Sequence, residues 1–130
     1  MGPQSAAVST SGFPMIVTLS KGEKAEQLVR FCEHFLRMKV IRMSAEEHDE
    51  RMAFVHALTF FVARGLLNMG VHGADLVTPS FQRIIDLANL ESHHSNDLFL
   101  TIQRGNAKSA AVRQKFIKVL EELNQEIEDV

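Results

Sequence analysis

The longest run of apolar residues at helical spacing covers residues 44–70. Ser44 and Glu47 have the spacing of a capping box, in which the serine hydroxyl accepts a backbone N–H of the first turn, and Gly70 can adopt the left-handed conformation that ends helices. Because apolar residues occupy two faces of this helix, it should pack against two partners. One face carries Met52, Val55, Thr59, Val62 and Leu66, and the other carries Phe54, Leu58 and Phe61.

A strand, a helix and a second strand are predicted before this helix. Residues 14–19 and 39–43 are short apolar runs rich in β-branched residues, which favours strands. Between them, Ser20 and Glu23 have the spacing of a capping box and predict a helix to about Arg37. This order is a βαβ unit of a parallel sheet. Two strands alone would leave edges and faces uncovered, so we expect the unit to be the tail of a larger α/β domain.

Three further helices are predicted after a loop at residues 71–77. Thr78 caps the first, which begins with Pro79 and ends near Glu91. Ser95 caps a shorter helix that ends near Arg104, and the last helix runs over residues 107–128, with an apolar seam and a charged outer face. The C-terminal part of the chain is therefore predicted to be a helical bundle.

Composition narrows the class of protein. The chain has 130 residues, a net charge of −2 and a single cysteine, Cys32. Neither a basic stripe nor an apolar window of about 18 residues is present, so we expect no nucleic-acid or membrane partner. With no internal disulfide possible and no export signal at the N-terminus, a cytoplasmic protein is expected.

Few side chains suggest chemistry on their own. The glycines do not form a dinucleotide or P-loop fingerprint, so the chain alone should bind no NAD or NADP. His48 and His56 lie roughly 12 Å apart along one helix, too far to share a metal ion. His56 is either a hydrogen-bonded core residue or a group that points into a cleft. His48 either contributes only to the electrostatics of the first helical turn or faces the same cleft. Arg83 and Arg104 are either surface residues or contacts of an anionic ligand.

Several stretches resemble a known family. Residues 41–53, 57–61 and 78–81 resemble the C-terminal half of the prephenate and arogenate dehydrogenases of tyrosine biosynthesis. Residues 2–5 resemble the piece just after the His-Pro-Met-Phe motif of that family. The resemblance covers about residues 2–125, and the block at residues 43–49, Met-Ser-Ala-Glu-Glu-His-Asp, is its most specific part.

The resemblance implies a fold and an activity. Residues 1–43 would be the remnant of a Rossmann-like nucleotide-binding domain, and residues 44–130 a helical dimerisation and substrate domain similar to the C-terminal domain of 6-phosphogluconate dehydrogenases. The fold class is thus mostly α. In the family, a ring hydroxyl of prephenate or arogenate is oxidised with decarboxylation, and NAD or NADP accepts the hydride. The histidine that takes the hydroxyl's hydrogen belongs to the His-Pro-Met-Phe motif, which this sequence lacks.

The resemblance also suggests substrate contacts. Family members often carry histidine at the position of Phe60 and glutamine at that of His56, so His56 is the predicted polar contact to substrate, with His48 on the same side of the helix. The family's arginine for a substrate carboxylate falls on Gln82 or Arg83, and we favour Arg83. No catalytic residue is assigned.

We therefore expect the C-terminal portion of a prephenate or arogenate dehydrogenase, a homodimer that is inactive alone. Two alternatives are a non-catalytic helical module that binds a regulatory ligand, and a purely structural dimerisation protein.

Overall fold

Two neighbouring strands and one helix form the first unit of the chain. The computed structural model describes residues 9–73 and 75–129, and it divides into a unit ending at His48 and a unit beginning at Asp49. In the first unit, β1 (Pro14–Val17) and β2 (Lys39–Arg42) pair in parallel, with Pro14 opposite Lys39 and Val17 opposite Arg42. Helix α1 (Glu23–His34) connects them, so the βαβ prediction is confirmed.

The predicted capping box at Ser20 is wrong. The residue that caps α1 is Gly22, whose φ of 86° lies in the region that favours glycine, and no side chain caps the helix. The Ser20 hydroxyl instead donates to the Glu26 carboxylate, which also accepts two hydrogen bonds from Arg42 at 2.8 and 3.2 Å. These contacts, led by the one from Arg42, lower the pKa of Glu26. Ser20 therefore hydrogen-bonds the ion pair between Glu26 on α1 and Arg42 on β2 and does not cap the helix.

The long predicted helix forms, but its middle is not an α-helix. Helix α2 (Ala45–Met52) is followed by a π-helical segment (Ala53–Leu58) and then by helix α3 (Thr59–Asn68). Ser44 caps α2 as predicted, because its Oγ accepts from the Glu47 N–H at 3.0 Å. Gly70 has a φ of 80° and follows the last turn of α3, which confirms the predicted end.

Three more helices complete the second unit: α4 (Pro79–Asn89), α5 (Asn96–Gly105) and α6 (Ser109–Glu128). Both predicted caps are confirmed, since Thr78 accepts from the Phe81 N–H at 3.1 Å and Ser95 from the Leu98 N–H at 3.2 Å. Most of the chain is helical, as predicted. The likeness to 6-phosphogluconate dehydrogenases and the domain boundary after residue 43 stay predictions.

Small side chains, not large ones, form the tightest packing of the second unit. Within the described residues, four side chains of the helices are at most 2% exposed and hydrophobic, and all are alanine; Ser109 is equally buried. By contrast Val55 and Phe54, predicted to lie on the two packing faces, are 70% and 54% exposed. Small residues allow close approach of helix backbones and leave larger apolar groups outside. The four alanines are Ala53, Ala57, Ala63 and Ala88.

Candidate functional site

A buried ion pair connects α3 to the turn after α4. The Nε and Nη2 atoms of Arg64 donate to Oε2 of Glu91 at 2.9 and 2.7 Å. Glu91 is only 1% exposed, and the Arg64 guanidinium carbon lies 4.6 Å from the ring centre of Phe99 on α5. Because a buried carboxyl group needs compensating partners, the contact with Arg64 offsets part of the cost of burying Glu91 there.

The other carboxylate oxygen of Glu91 faces a histidine. His94 Nδ1 lies 3.6 Å from Glu91 Oε1, just beyond hydrogen-bond distance. Both atoms are shielded from solvent, and neither has a hydrogen-bond partner. The turn itself is held by the backbone, since the His94 N–H donates to the Glu91 carbonyl at 3.1 Å. A small movement of the imidazole would therefore make an orienting carboxylate–imidazole contact.

Phe60 lies between His94 and a second histidine, His56. The centres of the His56 and Phe60 rings are 4.9 Å apart with the rings perpendicular, and the Phe60 and His94 ring centres are 5.0 Å apart. Burial is the main factor that lowers the pKa of His56, and the nearby His94 adds to the effect. Lowering from 6.5 keeps His56 uncharged at neutral pH. We refer to His56, Phe60, Arg64, Glu91 and His94 as the Glu91 cluster.

A buried glutamine supports the π-helical segment on which His56 lies. Gln103 on α5 donates through Nε2 to the Ala57 carbonyl at 2.7 Å. Its own carbonyl and Oε1 accept from Arg113 Nη1 at 2.9 and 3.0 Å. Gln103 thus binds the backbone of the π-helical segment, where the hydrogen-bond pattern differs from that of an α-helix. Such π-helical turns occur often at functional sites.

The predicted site residues lie in different surroundings. His56 belongs to the Glu91 cluster, whereas Arg83 is exposed on α4, and no hydrogen bond or ion pair within residues 9–73 and 75–129 joins Arg83 to that cluster. His48 is half-buried on α2, where its N–H donates to the Ser44 carbonyl at 3.0 Å. Sequence reasoning missed Arg64 and Glu91, because 27 residues separate them and no local spacing relates them.

Neither a metal nor a dinucleotide fits the described residues well. Among residues 9–73 and 75–129, no group of three or more His, Cys, Asp or Glu side chains is arranged to hold a metal ion. The turn from β1 to α1, where nucleotide-binding folds place a pyrophosphate, contains a single glycine, Gly22. The first turn of α1 is acidic, with Glu23 and Glu26, and would repel phosphate. The residues of this turn therefore do not fit the cofactor.

An apolar groove lies beside the Glu91 cluster in the second unit. It has a volume of about 570 Å³ and is open to solvent. Residues of α3, α5 and α6 line it. Arg64 and Asn68 are the polar ones, and the apolar ones include Phe61, Leu66, Phe99, Phe116 and Leu120. In the described part of the chain, no helix is long and apolar enough to cross a membrane.

Comparison with known proteins points to one enzyme class. No family model matches the chain. The chain is 28% identical over 133 aligned residues to arogenate dehydrogenase 2, chloroplastic, from Arabidopsis thaliana, and the alignment covers 97% of the chain. The resemblance to the prephenate and arogenate dehydrogenases is therefore confirmed. The chain spans 37% of the length of this relative. Residues 2–5, part of the motif resemblance, lie outside the described residues.

Proposed function

We propose that the chain is the C-terminal, helical portion of an NAD- or NADP-dependent prephenate or arogenate dehydrogenase. The observation that carries this proposal is the alignment to arogenate dehydrogenase 2 over 97% of the chain. The parallel two-stranded sheet of the first unit supports it, because such a sheet is expected as the tail of a nucleotide-binding domain. The helices of the second unit would then form the substrate and dimerisation domain.

In this proposal, residues of the helical unit bind the substrate, and the cofactor binds elsewhere in the complete enzyme. His56, uncharged and half-buried beside Phe60, is suited to hydrogen-bond a polar group of the substrate ring. Arg83 is exposed on α4 and is the proposed contact to a substrate carboxylate. His48 ends the first unit, and its role as a substrate contact stays a prediction from the family resemblance. NAD or NADP would supply the hydride acceptor for oxidation of the ring hydroxyl. The chain alone would bind substrate weakly and turn over none.

Exposed apolar side chains support a homodimer. On α6, Leu120, Leu123 and Ile127 are 48%, 49% and 76% exposed. Leu120 also lines the apolar groove, so α6 exposes apolar side chains of the kind that interfaces between subunits cover. A second copy of the chain would cover it with an equivalent surface, as in most homo-oligomers.

The same surface favours one alternative, a non-catalytic helical dimerisation or regulatory module. Such a module would need the apolar surface and the Glu91 cluster but no cofactor.

A chimeric enzyme distinguishes the dehydrogenase portion from the non-catalytic module. The segment of Arabidopsis arogenate dehydrogenase 2 that aligns with this chain is replaced by this chain, and reduction of NAD and NADP is followed spectrophotometrically with prephenate and with arogenate. An enzyme portion should restore substrate-dependent reduction, and the His56→Ala chimera should show a raised KM. A folded, dimeric chimera with no reduction under any combination would support the module instead.

The proposed enzyme could be located in either of two compartments of the cell. The cytoplasm is expected from the sequence, and the relative's name adds the chloroplast. A fluorescent fusion of the complete protein, imaged in its native cells, separates them.

A further inference from the structure

We propose that two copies of the chain pair through α6 in antiparallel orientation, with Leu123 and Ile127 of each copy packed into the apolar groove of the other. This inference rests on the homodimer of the proposed function. It goes beyond that homodimer because it names the element that makes the contact, its direction and its register.

The C-terminal half of α6 is not covered by the described part of its own chain. Every residue from 117 to 129 is exposed, whereas Val112, Arg113 and Phe116 in the preceding half are partly buried. At about 1.5 Å per residue, the helical part of this exposed stretch is roughly 18 Å long. Helices in proteins are stabilised mostly by packing an apolar face, so this half of α6 is suited to a partner.

One apolar seam runs from the packed half of α6 into its exposed half. Phe116, Leu120, Leu123 and Ile127 follow one another at spacings of four, three and four residues, which places them on one face of the helix. Phe116 and Leu120 also line the apolar groove. An antiparallel second α6 brings its Ile127 opposite Phe116 and its Leu123 opposite Leu120. One register therefore forms both apolar pairs, and a two-fold axis forms each pair twice.

The charges of α6 favour the antiparallel direction. Residues 109–120 contain basic residues and no acidic ones, whereas residues 121–129 contain acidic residues and no basic ones. Parallel helices would place the two acidic halves side by side. Antiparallel helices instead place the acidic half of one copy beside the basic half of the other, which is attractive. The basic residues are Arg113, Lys115 and Lys118, and the acidic ones are Glu121, Glu122, Glu126, Glu128 and Asp129.

Lys115 and Glu126 are the charges best placed to meet across this contact. At about 100° per residue they project from the same side of the apolar seam, and they lie roughly 16 Å apart along α6, too far for contact within one copy. When a two-fold axis relates antiparallel helices, the same side of the seam meets in both copies. Lys115 of each copy therefore comes within reach of Glu126 of the other.

Charge reversal tests the direction of the pair. In the full 130-residue chain, Lys115→Glu and Glu126→Lys should each raise the Kd of the dimer about tenfold, because two ion pairs per dimer are replaced by repulsion. Combining both substitutions should return the Kd close to that of the unchanged chain. Lys118→Glu is the matched control, since it changes the net charge as Lys115→Glu does but lies on the exposed side of α6. Sedimentation equilibrium measures each Kd, and circular dichroism verifies folding.

A chemical crosslink tests the register. A carbodiimide joins a lysine amine to a carboxylate that contacts it. In a mixture of ¹⁵N-labelled and unlabelled chains, mass spectrometry then shows whether the two joined peptides come from different copies. The antiparallel pair should give a mixed-isotope link between the peptides that contain Lys115 and Glu126.

The outcomes separate this inference from the proposed function. If the chain dimerises but the two reversals act no more strongly than Lys118→Glu, or if the double variant does not recover, the inference is wrong while the homodimer remains. A monomer at every concentration overturns the inference and the homodimer together. The dehydrogenase portion is tested separately by the chimeric enzyme.

Discussion

Arg64 and Glu91 form a one-sided ion pair: two nitrogens of Arg64 donate to the single oxygen Oε2 of Glu91, at 2.9 and 2.7 Å, and Oε1 stays buried beside His94. The pair joins α3 to the turn after α4, and Phe99 of α5 packs on the guanidinium. Three elements of the helical unit therefore meet at one buried charge.

Removing the arginine should destabilise the fold strongly. Arg64→Met leaves the Glu91 carboxylate buried without its cation, and we expect a loss of about 3–5 kcal/mol in the free energy of unfolding. The measurement is urea denaturation followed by circular dichroism. Replacing both residues, as in Arg64→Met with Glu91→Leu, should recover much of the loss because no uncompensated charge remains.

The matched control is an exposed pair on α6. Lys118 and Glu122 have side chains that are 75% and 62% exposed, so Lys118→Ala should change stability by no more than about 1 kcal/mol. Equal losses for Arg64→Met and Lys118→Ala would contradict a structural role for the buried pair.

Gln103 should be essential to the π-helical segment. Gln103→Leu removes the donor to the Ala57 carbonyl and one acceptor of Arg113, so a loss of about 1–3 kcal/mol is expected. Hydrogen exchange of the amides in the π-helical segment should also become faster. Gln114→Leu, at an exposed position of α6, should stay within about 0.5 kcal/mol of the unchanged chain. Unaltered exchange in Gln103→Leu would disprove the role.

Stability should depend on pH through His56. Its pKa is lowered from 6.5 in the folded chain, so below pH 6.5 the unfolded state takes up the proton first. The stabilisation is complete above pH 6.5 and is lost as the pH falls from there to the folded pKa. Urea midpoints measured between about pH 7.5 and 5.5 should fall more for the unchanged chain than for His56→Gln. Parallel curves would show that His56 does not titrate this way.

The apolar surface of α6 should be covered by a second copy. Light scattering should give twice the 14.6 kDa mass of one chain. Leu120→Glu places a charge in the apolar groove and should shift the equilibrium to monomer, whereas Lys118→Glu on the exposed side of α6 should not. A clean monomer for the unchanged chain would refute the proposed dimer.

The element order was predictable because its signals are local. Ser44, Thr78 and Ser95 each accept a backbone N–H three residues later, and this spacing is visible in the sequence. The pattern failed at Ser20, which has the same spacing to Glu23. There the Ser20 hydroxyl donates to Glu26 and accepts from Arg42, which lies 22 residues away in the sequence.

By itself, the sequence determined the order of the helices, the caps of α2, α4 and α5, the parallel pair of strands and the family resemblance, since each depends on neighbours within a few residues or on matched motifs. Only the tertiary structure decided the π-helical segment, the exposure of Val55 and Phe54, and the contacts of Glu91 with Arg64 and of Gln103 with Ala57. The residues in these two contacts are 27 and 46 positions apart in the sequence, and no hydrophobic periodicity predicts contacts over such separations. Folding brings such groups together because buried polar atoms must find partners wherever the packing places them.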